Sequence, residues 1–72
     1  MNQRQLNMLQ AMEEGITQAR DDLKGPGAEK ALAAALADIA DDTPRSMSLA
    51  ATAYYAAMLM AWKARGCPDL LA

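Results

Sequence analysis

The sequence contains no histidine, no phenylalanine, no valine and a single cysteine among its 72 residues. A lone thiol cannot form an internal disulfide, and a chain with one thiol and no imidazole lacks the usual ligands of a structural zinc site. The same absences remove the commonest general base and the usual activator of a nucleophilic cysteine. We therefore expect no catalytic residues, no metal, no cofactor and no small-molecule substrate.

β-Branched residues are also scarce, and alanine and leucine supply most of the apolar content. Alanine has the highest helix propensity, whereas strands favour β-branched and aromatic residues, so an all-α fold is predicted. A domain this short buries only about 60% of the surface of its unfolded chain and usually needs additional support. Since disulfides and a structural metal are excluded, the remaining sources of that support are oligomerisation and very regular helix packing.

Net charge is small, since seven basic residues stand against nine acidic ones. A balance of −2 is too weak to attract DNA, RNA or an anionic membrane by itself, so nucleic acid is not expected as the primary partner. The first ten residues lack the apolar core of a secretory signal. Together with the free cysteine, this favours a cytoplasmic location.

Two helices are predicted in the first forty residues. Asn2 can cap the first, at about 3–24, and the glycine–proline–glycine sequence that follows must end it. The second, at about 28–40, is rich in alanine. The first helix carries a heptad seam of apolar residues, Leu9, Met12, Ile16, Ala19 and Leu23. It also carries a ridge of small residues, Ala11, Gly15 and Ala19, so Ala19 belongs to both. The ridge predicts a close helix crossing, unless Gly15 is simply tolerated at the surface.

The third helix is predicted at about 44–65. Thr43 and Pro44 form a start signal, and Gly66 supplies a left-handed C-cap before a short tail, 66–72. Seventeen consecutive residues from Ser46 to Trp62 carry no charge. Such a run approaches the length that spans a bilayer, but its hydroxyl groups and alanines make it only weakly apolar, so no membrane partner is expected.

A helix that is apolar around its whole circumference should be buried on all sides. Two short helices cannot surround a third completely. The prediction is therefore a single domain, 1–72, folded as a three-helix up-down bundle with helix 3 central and completed by dimerisation. The alternative, in which three helices suffice because alanine tolerates water, stays open.

Helix 3 carries the candidate partner-binding surface. Tyr54, Met58 and Trp62 share one face, beside a ridge of alanines, and aromatic and methionine side chains suit interfaces. The residues predicted to bind a partner are Met47, Tyr54, Ala57, Met58, Ala61 and Trp62. The same side chains could instead simply fill the core.

These properties are typical of small bacterial or phage-encoded accessory proteins that occupy a site on a larger protein, although folds do not determine function. We predict a non-enzymatic protein–protein interaction module, a homodimer that regulates or inhibits a larger bacterial protein. One alternative is a structural subunit or chaperone-like partner that is stable only in a hetero-complex. The other is a helix-turn-helix-like DNA-binding regulator, although helix 3 lacks the side chains that usually read base edges.

Overall fold

The structure, a computed structural model, describes residues 1–41 and 47–70. Its three α-helices are α1 (Gln3–Asp22), α2 (Ala28–Ala40) and α3 (Leu49–Ala64), and a short 3-10 turn joins α1 to α2. No strand occurs within these two ranges. The predicted all-helical fold is confirmed, and the arrangement is consistent with a helical bundle.

The N-terminus of α1 is fixed by a reciprocal capping box. The Asn2 side chain accepts a hydrogen bond of 2.9 Å from the backbone N–H of Gln5, and the Gln5 side chain accepts one of 2.9 Å from the backbone N–H of Asn2. Two otherwise unpaired backbone donors are satisfied in this way. The predicted cap is therefore confirmed.

The start of α3 differs from the prediction. The helix begins at Leu49, and Ser48 is its N-cap, with an extended backbone and a side-chain oxygen that accepts a 3.0 Å hydrogen bond from Ala51 N–H. The expected start near residue 44 was wrong, because Met47 and Ser48 precede the helix. Thr43 and Pro44, which suggested that start, lie outside the described residues. The prediction did not weigh Ser48, although serine is among the preferred N-cap residues.

The C-terminus of α3 closes as predicted. Gly66 has a φ of 85°, its N–H donates to the Lys63 carbonyl at 3.0 Å, and the Cys67 N–H donates to the Trp62 carbonyl at 3.1 Å. This pair of bonds is the Schellman motif, which requires a left-handed residue after the helix. The chain then turns back toward α3, and Leu70 packs against the core.

Helices α1 and α3 approach each other closely at Gly15 of α1. A Cβ atom placed there would overlap the Ala50 carbonyl oxygen and lie 2.9 Å from the Tyr54 backbone nitrogen. Gly15 and Ala19 are both buried, and Ala11 is half-buried. The close crossing predicted from the small-residue ridge is therefore confirmed, and it is made against α3.

The core between the three helices is small. Among the described residues, the buried apolar side chains are Ala19, Leu32, Ala35, Ala53 and Met58. Only Leu32 and Met58 are both large and fully enclosed. The larger part of this core therefore depends on one leucine from α2 and one methionine from α3.

Within the described part of one chain, α3 is not covered all round, as the sequence analysis inferred for a helix with only two neighbours. Ala56, Leu59 and Met60 are exposed, and Met60 retains 72% of its accessible surface. Helices α1 and α2 both contact α3, and α1 does so more extensively. One side of α3 is left open to solvent. In the described part of the chain, no helix combines the length and the hydropathy needed to cross a bilayer.

Candidate functional site

The face of α3 predicted to bind a partner is turned mostly into the protein. Met58 is 1% exposed and lies in the core, so it offers almost no surface. The other five predicted residues, Met47, Tyr54, Ala57, Ala61 and Trp62, are half-buried. Tyr54, Ala57, Ala61 and Trp62 pack against the core cluster.

The two tyrosines tie α3 to the other helices. The Tyr54 hydroxyl donates a 2.5 Å hydrogen bond to the Asp22 carboxylate at the end of α1, and the Tyr55 hydroxyl donates one of 2.9 Å to Asp38 of α2. Burial raises the pKa of Tyr54 to about 12, and the hydrogen bond and negative charge of Asp22 act in the same direction. The hydrogen bond to Asp38 raises the pKa of Tyr55. Both phenol groups therefore have partners within the same chain.

Trp62 is covered by the C-terminal tail. Its indole N–H donates a 2.8 Å hydrogen bond to the carbonyl of Pro68, and both Trp62 and Leu70 pack against the core cluster. A buried indole N–H normally needs such an acceptor. The tail thus satisfies the polar tip of Trp62, one of the residues predicted to bind a partner.

An exposed apolar surface lies on another side of α3, in a groove of about 350 Å³ between α1 and α3. We call this the α1–α3 groove. Its lining comes from both helices and consists of Met12, Ile16, Ala19, Arg20, Leu23, Ala53, Ala56, Ala57 and Met60. Of the residues predicted to bind a partner, Ala57 alone lines it. Arg20 is its one charged lining residue.

The walls of the groove are exposed side chains, and its base is made of alanines. Met60 is 72% exposed, Met12 41% and Ile16 36%, whereas Ala53 is 8% exposed. Small residues at the base would let another helix approach closely. The groove is therefore an open apolar surface with small residues at its base.

The heptad seam predicted on α1 divides into two parts. Ala19 and Leu23 pack in or against the chain's own core, while Leu9, Met12 and Ile16 remain exposed. Heptad spacing on one helix predicts a neighbouring helix along its whole length. Met12 and Ile16, from the exposed half, line the groove, so the heptad spacing was its signal in the sequence.

The molecule exposes more surface than its mass predicts. A folded monomer of 7.7 kDa should expose about 4300 Å², whereas this chain exposes 5320 Å². Its radius of gyration is 13.2 Å, compared with about 11 Å for a compact domain of this length. The excess of about 1000 Å² is close to the area that each partner contributes to a standard interface, about 800 Å².

Two opposite charges flank the exposed part of the seam. Glu13 and Arg20 are both exposed and lie seven residues apart on α1, so they project from the same side of the helix. Within residues 1–41 and 47–70, neither side chain belongs to an ion pair, whereas Lys24 and Asp21 form an exposed pair at 3.4 Å. Glu13 and Arg20 are therefore free to pair across an interface.

The acidic residues in the described part of the chain do not cluster as metal ligands do. Among the described residues, no group of three acidic or cysteine side chains could hold a metal ion. Asp38 instead accepts the hydrogen bond from Tyr55.

No protein-family model matches the chain, and the searches of curated proteins and of solved structures gave no match either.

Proposed function

We propose that this chain is a non-enzymatic protein–protein interaction module that works as a homodimer joined through the α1–α3 groove. The dimer would regulate or inhibit a larger protein by occupying a site on it. The observation that carries the proposal is the apolar groove itself, on a molecule that exposes about 1000 Å² more than its mass predicts.

A second copy is the occupant that the areas support. Burying about 800 Å² on each chain would remove most of the excess surface and would match a standard interface. In this proposal the second copy completes an up-down bundle and covers Ala56 and Met60, the exposed residues of α3 that line the groove. Met60 and Met12 suit such a contact, because methionine adapts to irregular surfaces.

The small core supports the same conclusion. Leu32 and Met58 are the two large side chains fully enclosed within the described part of the chain. Domains of this size rarely obtain more than about 3–5 kcal/mol of stability from their own core. Each Å² of apolar surface buried contributes about 25 cal/mol, so burial at a dimer interface can add stability that the core of one chain does not provide.

The regulatory part of the proposal rests on the sequence. A 72-residue chain without histidine and with no glycine-rich phosphate loop suits occupying a site better than turning over a substrate. A bacterial or phage-encoded accessory protein acting in the cytoplasm is the setting we propose. The regulatory part would be supported if the activity of a protein captured by the dimer changes when purified dimer is added. It would be contradicted if the activity of no captured protein changes.

Sedimentation equilibrium of the full chain at about 10–200 μM tests the dimer. We expect a mass of twice 7.7 kDa and a thermal midpoint that rises with protein concentration. Met60→Glu should dissociate the dimer, because it places a charge in the apolar contact. Leu59→Glu is the matched control, since Leu59 is exposed at the position just before Met60 but does not line the groove.

Three outcomes would contradict this proposal. A strict monomer throughout the concentration range would remove the homodimer. Non-cooperative unfolding of the isolated chain would favour a subunit that is stable only in a hetero-complex. Binding to random duplex DNA that weakens steeply with salt would favour the DNA-binding alternative.

A further inference from the structure

We infer that the two copies pair antiparallel through α1, with the two-fold axis passing near Ile16 and with Glu13 of each copy opposite Arg20 of the other. This arrangement rests on the proposed homodimer and specifies its geometry. It is carried by the placement of the two free charges on the exposed seam.

The charges distinguish the two possible orientations. Glu13 and Arg20 occupy equivalent positions one heptad apart, both exposed, along the line of Leu9 and Ile16. In a parallel pair, Glu13 would face Glu13 and Arg20 would face Arg20. In an antiparallel pair, each carboxylate faces a guanidinium, which favours this orientation.

The same pairing fixes the register. If residue 13 lies opposite residue 20, the midpoint falls between Ile16 and Thr17. Ile16 of each copy then lies against its counterpart at the axis, in the middle of the apolar stripe. Each α1 would lie in the other copy's α1–α3 groove, where the alanine base permits the close approach that a four-helix arrangement requires.

Charge reversal tests the orientation. Glu13→Arg and Arg20→Glu should each weaken dimerisation about tenfold, because each replaces two attractive pairs with two repulsive ones. The double variant E13R/R20E restores opposite charges across the antiparallel pair, and its dissociation constant should return to within about threefold of the original. These differences should shrink in 1 M salt, where exposed charges are screened.

A parallel dimer would respond differently. Like charges would face each other in the original chain, in both single variants and in the double variant, so none of the three changes should alter the dissociation constant appreciably. Unchanged single variants, or a double variant that is not restored, would overturn the antiparallel pairing. Circular dichroism on each variant confirms that the helices remain folded.

Crosslinking gives an independent measurement. In a Cys67→Ser background, Ile16→Cys should be joined efficiently by a short thiol-specific crosslinker, since the two copies meet at the axis. Leu9→Cys should not, because residue 9 lies opposite residue 24, about 22 Å along the helix from its counterpart. A parallel dimer would crosslink at both positions.

The two levels of the proposal fail separately. If the original chain is a monomer, the homodimer and its geometry are both wrong. If the original chain is a dimer but its Leu9→Cys variant crosslinks, the antiparallel geometry alone is wrong. The same holds if the charge-reversal variants behave as a parallel pair predicts.

Discussion

The backbone of Gly15 in α1 lies against the carbonyl oxygen of Ala50 in α3, closer than any residue with a side chain would allow. This approach brings the two helices together along their small residues. It also sets the position from which Tyr54 of α3 reaches Asp22 at the end of α1. The pairing of α1 with α3 thus depends on the absence of a single Cβ atom.

Gly15→Ala should therefore destabilise the fold, although alanine is the better helix former by about 1 kcal/mol. The added methyl group would force the helices apart, and overpacking of this kind costs about 1–3 kcal/mol. Gly27→Ala is the matched control, because Gly27 has no positive φ and open space around its Cβ position. Urea unfolding measures both. A Gly15→Ala protein as stable as the original would contradict the close crossing.

The sign of the change in unfolding free energy caused by Ser48→Ala shows where α3 begins. If Ser48 is the N-cap, loss of its hydrogen bond from Ala51 N–H should lower the free energy of unfolding by about 1 kcal/mol. If the helix instead began near residue 44, Ser48 would be an interior position, and alanine there should stabilise the helix by a few tenths of a kcal/mol. Thermal or urea unfolding of this one variant separates the two starts.

Stability should fall in alkaline solution as the tyrosines ionise. The pKa of Tyr54 is raised to about 12 by burial and by its contact with Asp22, above its unfolded value of about 10. The folded state therefore favours the neutral phenol, and this contribution is complete below pH 10 and is lost as pH rises toward 12. The pKa of Tyr55 is raised as well, so it contributes in the same direction.

Tyr54→Phe should reduce this alkaline loss, since the variant has no phenol to ionise at that position. At neutral pH it should cost about 1 kcal/mol, because the half-buried Asp22 loses a donor. Tyr55→Phe, whose hydrogen bond to Asp38 is exposed, should cost less. Urea midpoints of the three proteins at neutral pH and near pH 11.5 provide the comparison. Equal alkaline losses in the original and Tyr54→Phe proteins would contradict the assignment.

Leu70→Ala should loosen the C-terminal tail. Leu70 packs against the core cluster, and the preceding residues carry the Pro68 carbonyl that accepts from Trp62. Because Trp62 is the only tryptophan, its fluorescence reports on this contact alone, and we expect a red shift as water reaches the indole. Leu59→Ala is the control for losing an exposed leucine side chain and should leave the emission maximum unchanged. An unshifted Leu70→Ala spectrum would show that the tail does not need this side chain.

The sequence determined the elements whose causes are local. The capping side chain of Asn2, the alanine-rich α2 and the left-handed Gly66 act within about one helical turn, and each was predicted at the place where it occurs. Gly15 was also recognisable, because a ridge of small residues has a meaning in packing even before its partner is known. The start of α3 was predicted wrongly, because the prediction relied on Thr43 and Pro44 and did not weigh Ser48, which caps the helix.

Only the tertiary structure decided which faces of the helices meet. Helix α3 carries no charge before Lys63 and so has no charged side to set its rotation, and its own pattern cannot place Met58 inside or Met60 outside. That rotation is set by contacts distant in sequence: the approach at Gly15, the hydrogen bonds from Tyr54 and Tyr55 to two different helices, and the tail over Trp62. The groove left open between α1 and α3 follows from that rotation.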